Sequence, residues 1–115
     1  MGRTWIGAIL ALLFTSSAWA VEVHDVRLWR APDHTRIVFD LSGPVEHKLI
    51  VLDNPSRIVV DIEDTRLKSD LAQLKLDKTP VSSVRSGVRE GDDLRVVLDM
   101  SARVDPRSFV LKANE

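Results

Sequence analysis

The chain lacks cysteine altogether, and its charges of the two signs nearly cancel, with 16 basic against 17 acidic side chains. Without cysteine there can be no disulfide, no thiolate zinc site and no cysteine nucleophile, so the fold must be stabilised by packing. The charge balance argues against a nucleic-acid-binding protein, which usually carries a clear basic excess. Any binding of anions must therefore depend on a local patch.

Recognisable catalytic motifs are missing as well. The sequence contains no Gly-x-Ser-x-Gly elbow and no phosphate-binding glycine loop. Its histidines, His24, His34 and His47, show no paired His-x-x-x-His spacing, so we interpret them as surface residues. We expect no catalytic residue, no metal ligand and no cofactor within residues 21–115.

Long apolar runs are confined to the N-terminus. Arg3 precedes an apolar run at residues 5–14, and the small residues Ala18 and Ala20 follow it. This order is typical of a secretory signal peptide. The run is about half of the ~20 residues that span a bilayer, which argues against a membrane anchor. We predict a signal peptide at residues 1–20, cleaved between Ala20 and Val21. Export by the general secretory route would then deliver a chain without a membrane span to the periplasm.

One six-residue pattern occurs three times, at residues 36–41, 57–62 and 95–100. It reads arginine, isoleucine or valine, valine, apolar residue, aspartate, apolar residue. Its β-branched residues and its length predict strands. Because strand side chains alternate between faces, each copy has one apolar face and one arginine–valine–aspartate face. This alternation is typical of an antiparallel sheet with one face on a core and the other in water.

The repeat extends to a duplicated half. Residues 23–27 resemble residues 81–85, and residues 35–42 resemble residues 94–101. We therefore predict two copies of one β-meander, about 22–63 and 81–115, joined by a short helix or turn at Leu67, Leu71 and Leu74. The duplication also predicts a fourth copy of the six-residue pattern beyond Glu115, so we interpret the chain as an N-terminal fragment. The expected strands lie near 22–30, 34–42, 45–52, 56–63, 81–89, 93–101 and 105–112.

These features together resemble the AMIN domain. The most specific element is Asn-Pro-Ser-Arg-Ile-Val-Val-Asp-Ile at residues 54–62, supported by residues 35–41, Ser86-Gly87 and residues 94–100. The resemblance implies an all-β fold, a small sandwich of two antiparallel sheets with pseudo-two-fold internal duplication, occupying residues 21–115.

The same resemblance implies a function. AMIN domains bind peptidoglycan and stand at the N-terminus of periplasmic N-acetylmuramoyl-L-alanine amidases, which they localise to the division septum. A zinc-dependent hydrolase domain would then follow Glu115, acting in cell-wall cleavage and daughter-cell separation. Divisome or amidase-activator proteins would be further partners through that part. Two alternatives remain open: the AMIN domain of a type IV pilus secretin and a free-standing periplasmic interaction module.

The candidate peptidoglycan-binding residues lie on the polar strand faces. Arginine can fork onto the carboxylates of stem peptides, and aspartate can accept hydrogen bonds from hydroxyls or amines. The simpler interpretation is cross-strand ion pairing on a solvated face, and both can hold at once. A tryptophan could stack on a sugar ring or could line the rim of the core. The candidates are Arg36, Asp40, Arg57, Asp61, Arg95, Asp99 and Trp29.

Overall fold

The computed structural model describes residues 20–111. The predicted signal peptide lies outside the described residues except for Ala20. Strands are the main regular secondary structure of the described part. Its strands are β1 (Val21–Ala31), β2 (His34–Leu41), β3 (His47–Leu52), β4 (Arg57–Ile62), β5 (Thr65–Leu67), β6 (Val81–Arg89) and β7 (Asp93–Met100).

The strands form two sheets, which confirms the predicted all-β sandwich. The first sheet has the order β2-β1-β5, and the second sheet has the order β3-β4-β7-β6. All neighbours are antiparallel except β1 and β5, which run parallel. The short strand β5 was not predicted, because three residues are too few to show a strand periodicity.

The duplication is visible in two hairpins that lie in different sheets. In the β1–β2 hairpin Arg27 is opposite Val38, and in the β6–β7 hairpin Arg85 is opposite Val97. Each hairpin has a register shift, as at a β-bulge, at an equivalent place near the start of its first strand. A matching irregularity at matching positions indicates that the halves share backbone geometry as well as sequence.

The core lies between the two sheets. Val23 and Val26 are the buried apolar residues of the first sheet, and Val23 and Val96 are both 0% exposed. Burying apolar side chains in this way is the main favourable contribution to folding. The second sheet contributes the larger share of the cluster, namely Ile58, Val60, Ile62, Val81, Leu94, Val96 and Leu98.

The segment between the halves contains a single turn of 3-10 helix, Leu71–Gln73. The carboxylate of Asp70 accepts a hydrogen bond from the backbone N–H of Ala72 at 3.0 Å and caps it. Leu71 and Leu74 pack against the core, as their spacing predicted. Leu67 also packs there, but from strand β5.

The strand predicted at residues 105–112 was wrong for its described part. Residues 103–111 have no regular secondary structure, and Phe109 and Leu111 are 71% and 70% exposed. The equivalent strand of the first half, β3, is held by hydrogen bonds to β4. Within residues 20–111 no strand is paired with residues 105–111, so their apolar alternation does not form part of a sheet.

Candidate functional site

The polar faces of strands β4 and β7 lie side by side on the outer surface of the second sheet. These two copies of the six-residue pattern pair antiparallel, with Val59 opposite Val97. The register therefore places Arg57 opposite Asp99 and Asp61 opposite Arg95. Opposite charges facing each other across strands stabilise this register over its alternatives.

Asp61 is the most buried charged residue of this face, at 6% exposure. Nε of Arg95 donates to its Oδ1 at 2.7 Å, and Nη2 donates to its Oδ2 at 2.8 Å. Arg89 adds a third positive charge, with Nε 3.7 Å from Oδ2. The hydrogen bonds from Arg95 lower the pKa of Asp61 below its ordinary value. Both side chains are engaged with each other, which favours a structural role for the pair. The expectation of a solvated outer face is therefore wrong at Asp61, which lies on a central strand.

Asp99 is held in the same way by the neighbouring strand β6. Nε and Nη2 of Arg85 donate to its two carboxylate oxygens at 2.7 and 2.9 Å, and the Ser83 hydroxyl also donates to it. These hydrogen bonds, the one from Arg85 first, lower the pKa of Asp99 to about 2. Arg57 faces the same carboxylate from β4 and favours its ionised form.

This lowered pKa predicts a dependence of stability on pH. The ordinary pKa is 3.8 and the folded-state pKa is about 2, so ionised Asp99 stabilises the fold above the ordinary value. That contribution should disappear as the pH falls from 3.8 to about 2. We expect Asp99→Asn to be less stable than the parent at neutral pH and equally stable near the lower limit. Urea unfolding of both proteins across this range measures the difference, and a constant difference would contradict the assignment.

Arg57 is less constrained than Arg95. Its Nε donates to the backbone carbonyl of Pro55 at 3.1 Å. Within the described range, its guanidinium forms no ion pair with a carboxylate inside 4 Å. It therefore retains donors for a ligand.

The remaining copy of the six-residue pattern, residues 36–41, lies on β2 in the first sheet. Arg36 lies directly opposite Trp29 of β1, so the two side chains share the outer face. Trp29 is 57% exposed, which excludes a position in the core. Arg36 is exposed and forms no ion pair among residues 20–111. Asp40 on the same face accepts a hydrogen bond from Nη2 of Arg27 at 2.9 Å.

The structure thus divides the predicted residues between two surfaces on opposite sides of the sandwich. Trp29, Arg36 and Asp40 lie on one, and Arg57, Asp61, Arg95 and Asp99 lie on the other. Arg27 and Arg85, the partners of Asp40 and Asp99, were not among the site residues predicted from the sequence. Their equivalence in the duplication was a signal that could have identified them, since the same arginine precedes the same pattern in both halves.

The histidines do not converge. Nδ1 of His34 lies 2.8 Å from Asp33, and Nε2 of His47 lies 3.0 Å from the Ser108 hydroxyl. In the described part of the chain, no three histidine or acidic side chains are grouped so that they could hold a metal ion. Between residues 20 and 111 there is also no helix long and apolar enough to cross a membrane.

Comparison with known proteins gives matches over most of the chain. Residues 25–115 match the family model described as the AMIN domain. The chain is 33% identical over 114 residues to N-acetylmuramoyl-L-alanine amidase AmiC of Escherichia coli O6:H1, covering 96% of the chain and 27% of the relative. It is 27% identical over 118 residues to N-acetylmuramoyl-L-alanine amidase AmiC of Neisseria meningitidis serogroup B, covering 95% of the chain and 28% of that protein. The chain thus spans just over a quarter of the curated relatives it matches.

Proposed function

Since the chain belongs to the AMIN domain family, we propose that it is the peptidoglycan-binding domain of a periplasmic N-acetylmuramoyl-L-alanine amidase. Both curated relatives are named as N-acetylmuramoyl-L-alanine amidases, which favours this parent over a pilus secretin or a free-standing module. The domain itself performs no chemistry in this proposal. It holds a zinc-dependent hydrolase near its substrate at the division septum, so its contribution is effective concentration.

The observation that carries the proposal is the pair formed by Trp29 and Arg36 on the outer face of the first sheet. The two residues are direct cross-strand neighbours, and both are exposed. An indole face can stack on a sugar ring, and a guanidinium can bind a carboxylate through two parallel hydrogen bonds. Peptidoglycan presents sugar rings and stem-peptide carboxylates on one polymer, so the pair matches both of its chemical groups.

The remaining candidate residues differ in whether they already form an ion pair within the domain. Arg57 forms no ion pair within 4 Å among the described residues, and we assign it to ligand binding on the second face. Asp61 and Asp40 already form ion pairs with Arg95 and Arg27, and Asp99 forms one with Arg85. In this proposal they keep the strands in register and position the free arginines.

Co-sedimentation with purified peptidoglycan sacculi tests the proposal. The chain would be expressed with its own N-terminal segment and recovered from the periplasm, where mass spectrometry of its N-terminus also tests cleavage before Val21. We expect the parent to pellet with sacculi and Trp29→Ala/Arg36→Ala to bind roughly tenfold more weakly, equivalent to about 1.4 kcal/mol. Arg57→Ala should weaken binding by a smaller factor.

A matched control is Arg103→Ala. Arg103 is a highly exposed arginine that follows β7, outside the six-residue pattern, and its Nη1 lies 3.8 Å from Oδ2 of Asp53. The Arg103→Ala substitution removes one positive charge, as Arg36→Ala does, and should leave binding unchanged. Circular dichroism would show that all variants are folded. If the parent does not pellet, the proposed function is wrong. If the folded double variant pellets like the parent, peptidoglycan is bound elsewhere on the domain.

A further inference from the structure

The two forked ion pairs on the outer face of the second sheet run in the same direction across the strands. Arg85 of β6 donates to both carboxylate oxygens of Asp99 on β7, and Arg95 of β7 donates to both oxygens of Asp61 on β4. Each carboxylate is thus occupied by an arginine from the β6 side of the sheet. A cation that faces it from the β3 side meets oxygens that already accept hydrogen bonds.

This arrangement leaves over two cations, Arg57 of β4 and Lys48 of β3. Arg57 is opposite Asp99, and Lys48 is opposite Asp61. Within residues 20–111 neither cation forms an ion pair inside 4 Å. Lys48 is exposed and Arg57 is only partly buried, so both charges are accessible to a carboxylate from outside the domain.

Apolar side chains lie between these two cations. Ile50 of β3 and Val59 of β4 are opposite each other, midway between the positions of Arg57 and Lys48. Val59 is on the outer face, since both of its neighbours along β4 pack in the core, yet it is only 5% exposed. The longer side chains around it must therefore shield it. Lys48 and Leu52, the residue opposite Arg57, are four residues apart, which is about 13 Å along a strand.

The second sheet has no counterpart of Trp29. In the β1–β2 hairpin Trp29 is opposite Arg36, whereas in the β6–β7 hairpin the residue opposite the equivalent Arg95 is Gly87. The four strands of this sheet, as the structure describes them, contain no tryptophan, phenylalanine or tyrosine. A sugar ring therefore finds no aromatic side chain on these strands to stack on. This face is better suited to a ligand with carboxylates and small apolar groups.

We propose that the outer face of the second sheet binds the acidic stem peptide of peptidoglycan, extended along β3 and β4. Its carboxylates pair with Arg57 and Lys48, and its alanine methyl groups lie on Ile50 and Val59. An extended peptide rises by about the same length per residue as a strand, so about four residues span the two cations. The contact with the sugar then belongs to Trp29 on the first sheet. This inference rests on the proposed function and adds to it which part of the polymer each sheet recognises.

Sacculi with neutralised carboxylates test this inference. Carbodiimide coupling with ammonia converts their free carboxylates to neutral amides and leaves the sugars unchanged. The exported chain, recovered from the periplasm, would be co-sedimented with native and with amidated sacculi. We expect the parent to bind native sacculi more tightly than amidated sacculi. Lys48→Gln/Arg57→Gln should bind native sacculi roughly fivefold more weakly than the parent, as expected for the loss of two exposed ion pairs. Amidation should then change its binding much less than it changes that of the parent.

Two further variants serve as controls. Arg66→Gln/Lys75→Gln removes the same two charges from β5 and from the segment between the halves, where both residues are exposed. Neither Arg66 nor Lys75 forms an ion pair among residues 20–111, so this variant should bind both preparations like the parent. Trp29→Ala removes no charge and should weaken binding to both preparations by the same factor. Circular dichroism would show that each variant is folded.

The outcomes separate this inference from the proposed function. A parent that does not pellet with native sacculi contradicts both. A parent that pellets equally with native and amidated sacculi keeps the proposed function and overturns the inference, because carboxylates are then not recognised. If Lys48→Gln/Arg57→Gln responds to amidation as strongly as the parent, the carboxylates are bound elsewhere and the inference is wrong. It is also wrong if Arg66→Gln/Lys75→Gln loses the same affinity, since net charge and not this face would then determine binding.

Discussion

Asp61→Asn is expected to lower the free energy of unfolding by roughly 1–3 kcal/mol, the cost of leaving a buried hydrogen-bonding group without its partner. Both oxygens of Asp61 accept from Arg95, and the side chain is almost fully buried. Asparagine keeps one acceptor but turns an N–H donor toward a guanidinium donor, so one hydrogen bond is lost and two donors face each other. Urea unfolding at neutral pH measures the change.

The reciprocal variant separates the pair from its surroundings. Arg95→Gln leaves the buried carboxylate with only the more distant Arg89 and Lys48, so we expect a larger loss than for Asp61→Asn. The double variant should cost less than the sum of the single variants, because each removes the same interaction. Simple additivity would show that the two side chains are not coupled. If folded Arg95→Gln binds sacculi more weakly than the parent, Arg95 is part of the ligand-binding site.

Leu94→Ala is expected to cause the largest loss of stability, roughly 2–5 kcal/mol, as measured for other buried leucines. Leu94 is 4% exposed and lies on the inner face of β7, opposite Ile62 on one side and Val88 on the other. Alanine leaves a cavity between the two sheets that rigid strands fill only in part. Since domains of this size are stable by about 5–15 kcal/mol, the variant should unfold at a clearly lower urea concentration.

Leu52→Ala is the matched control for this change. Leu52 is 37% exposed at the end of β3, on an edge of the second sheet. The same atoms are removed there without leaving an enclosed cavity, so the loss should be much smaller than at Leu94. Similar losses at both positions would mean that the inner face of β7 is not the centre of the packing.

The strands and their faces could be predicted from the sequence because alternation leaves a direct record in residue types. The inner-face apolar residues of the two copies in the second sheet lie in the core, as at Ile58, Ile62 and Val96. Strand β5 escaped prediction because it is short and pairs parallel with β1, a long-range contact without a local signal. Residues 105–111 show the same apolar alternation but form no strand, since a strand also needs a partner to pair with.

The candidate site was predictable as a set of residue types and not as a set of roles. Arg36, Arg57 and Arg95 occupy the same place in three copies of one pattern. Only the pairing of strands decides that Arg95 is bound to Asp61 whereas Arg36 lies exposed beside Trp29. Sequence periodicity assigns a side chain to a face, but its partners across the sheet depend on strand order.

The two equivalent hairpins contain equivalent ion pairs, so this protein allows a direct comparison of how the surroundings change the strength of an ion pair. Arg27 and Asp40 meet at 2.9 Å in the first sheet, and Arg85 and Asp99 meet at 2.7 Å in the second. The first contact is a single hydrogen bond, whereas the second is a fork reinforced by a serine. Replacing Arg27 and Arg85 by alanine, one at a time, would therefore compare the strengths of two equivalent ion pairs in two different environments of the same protein.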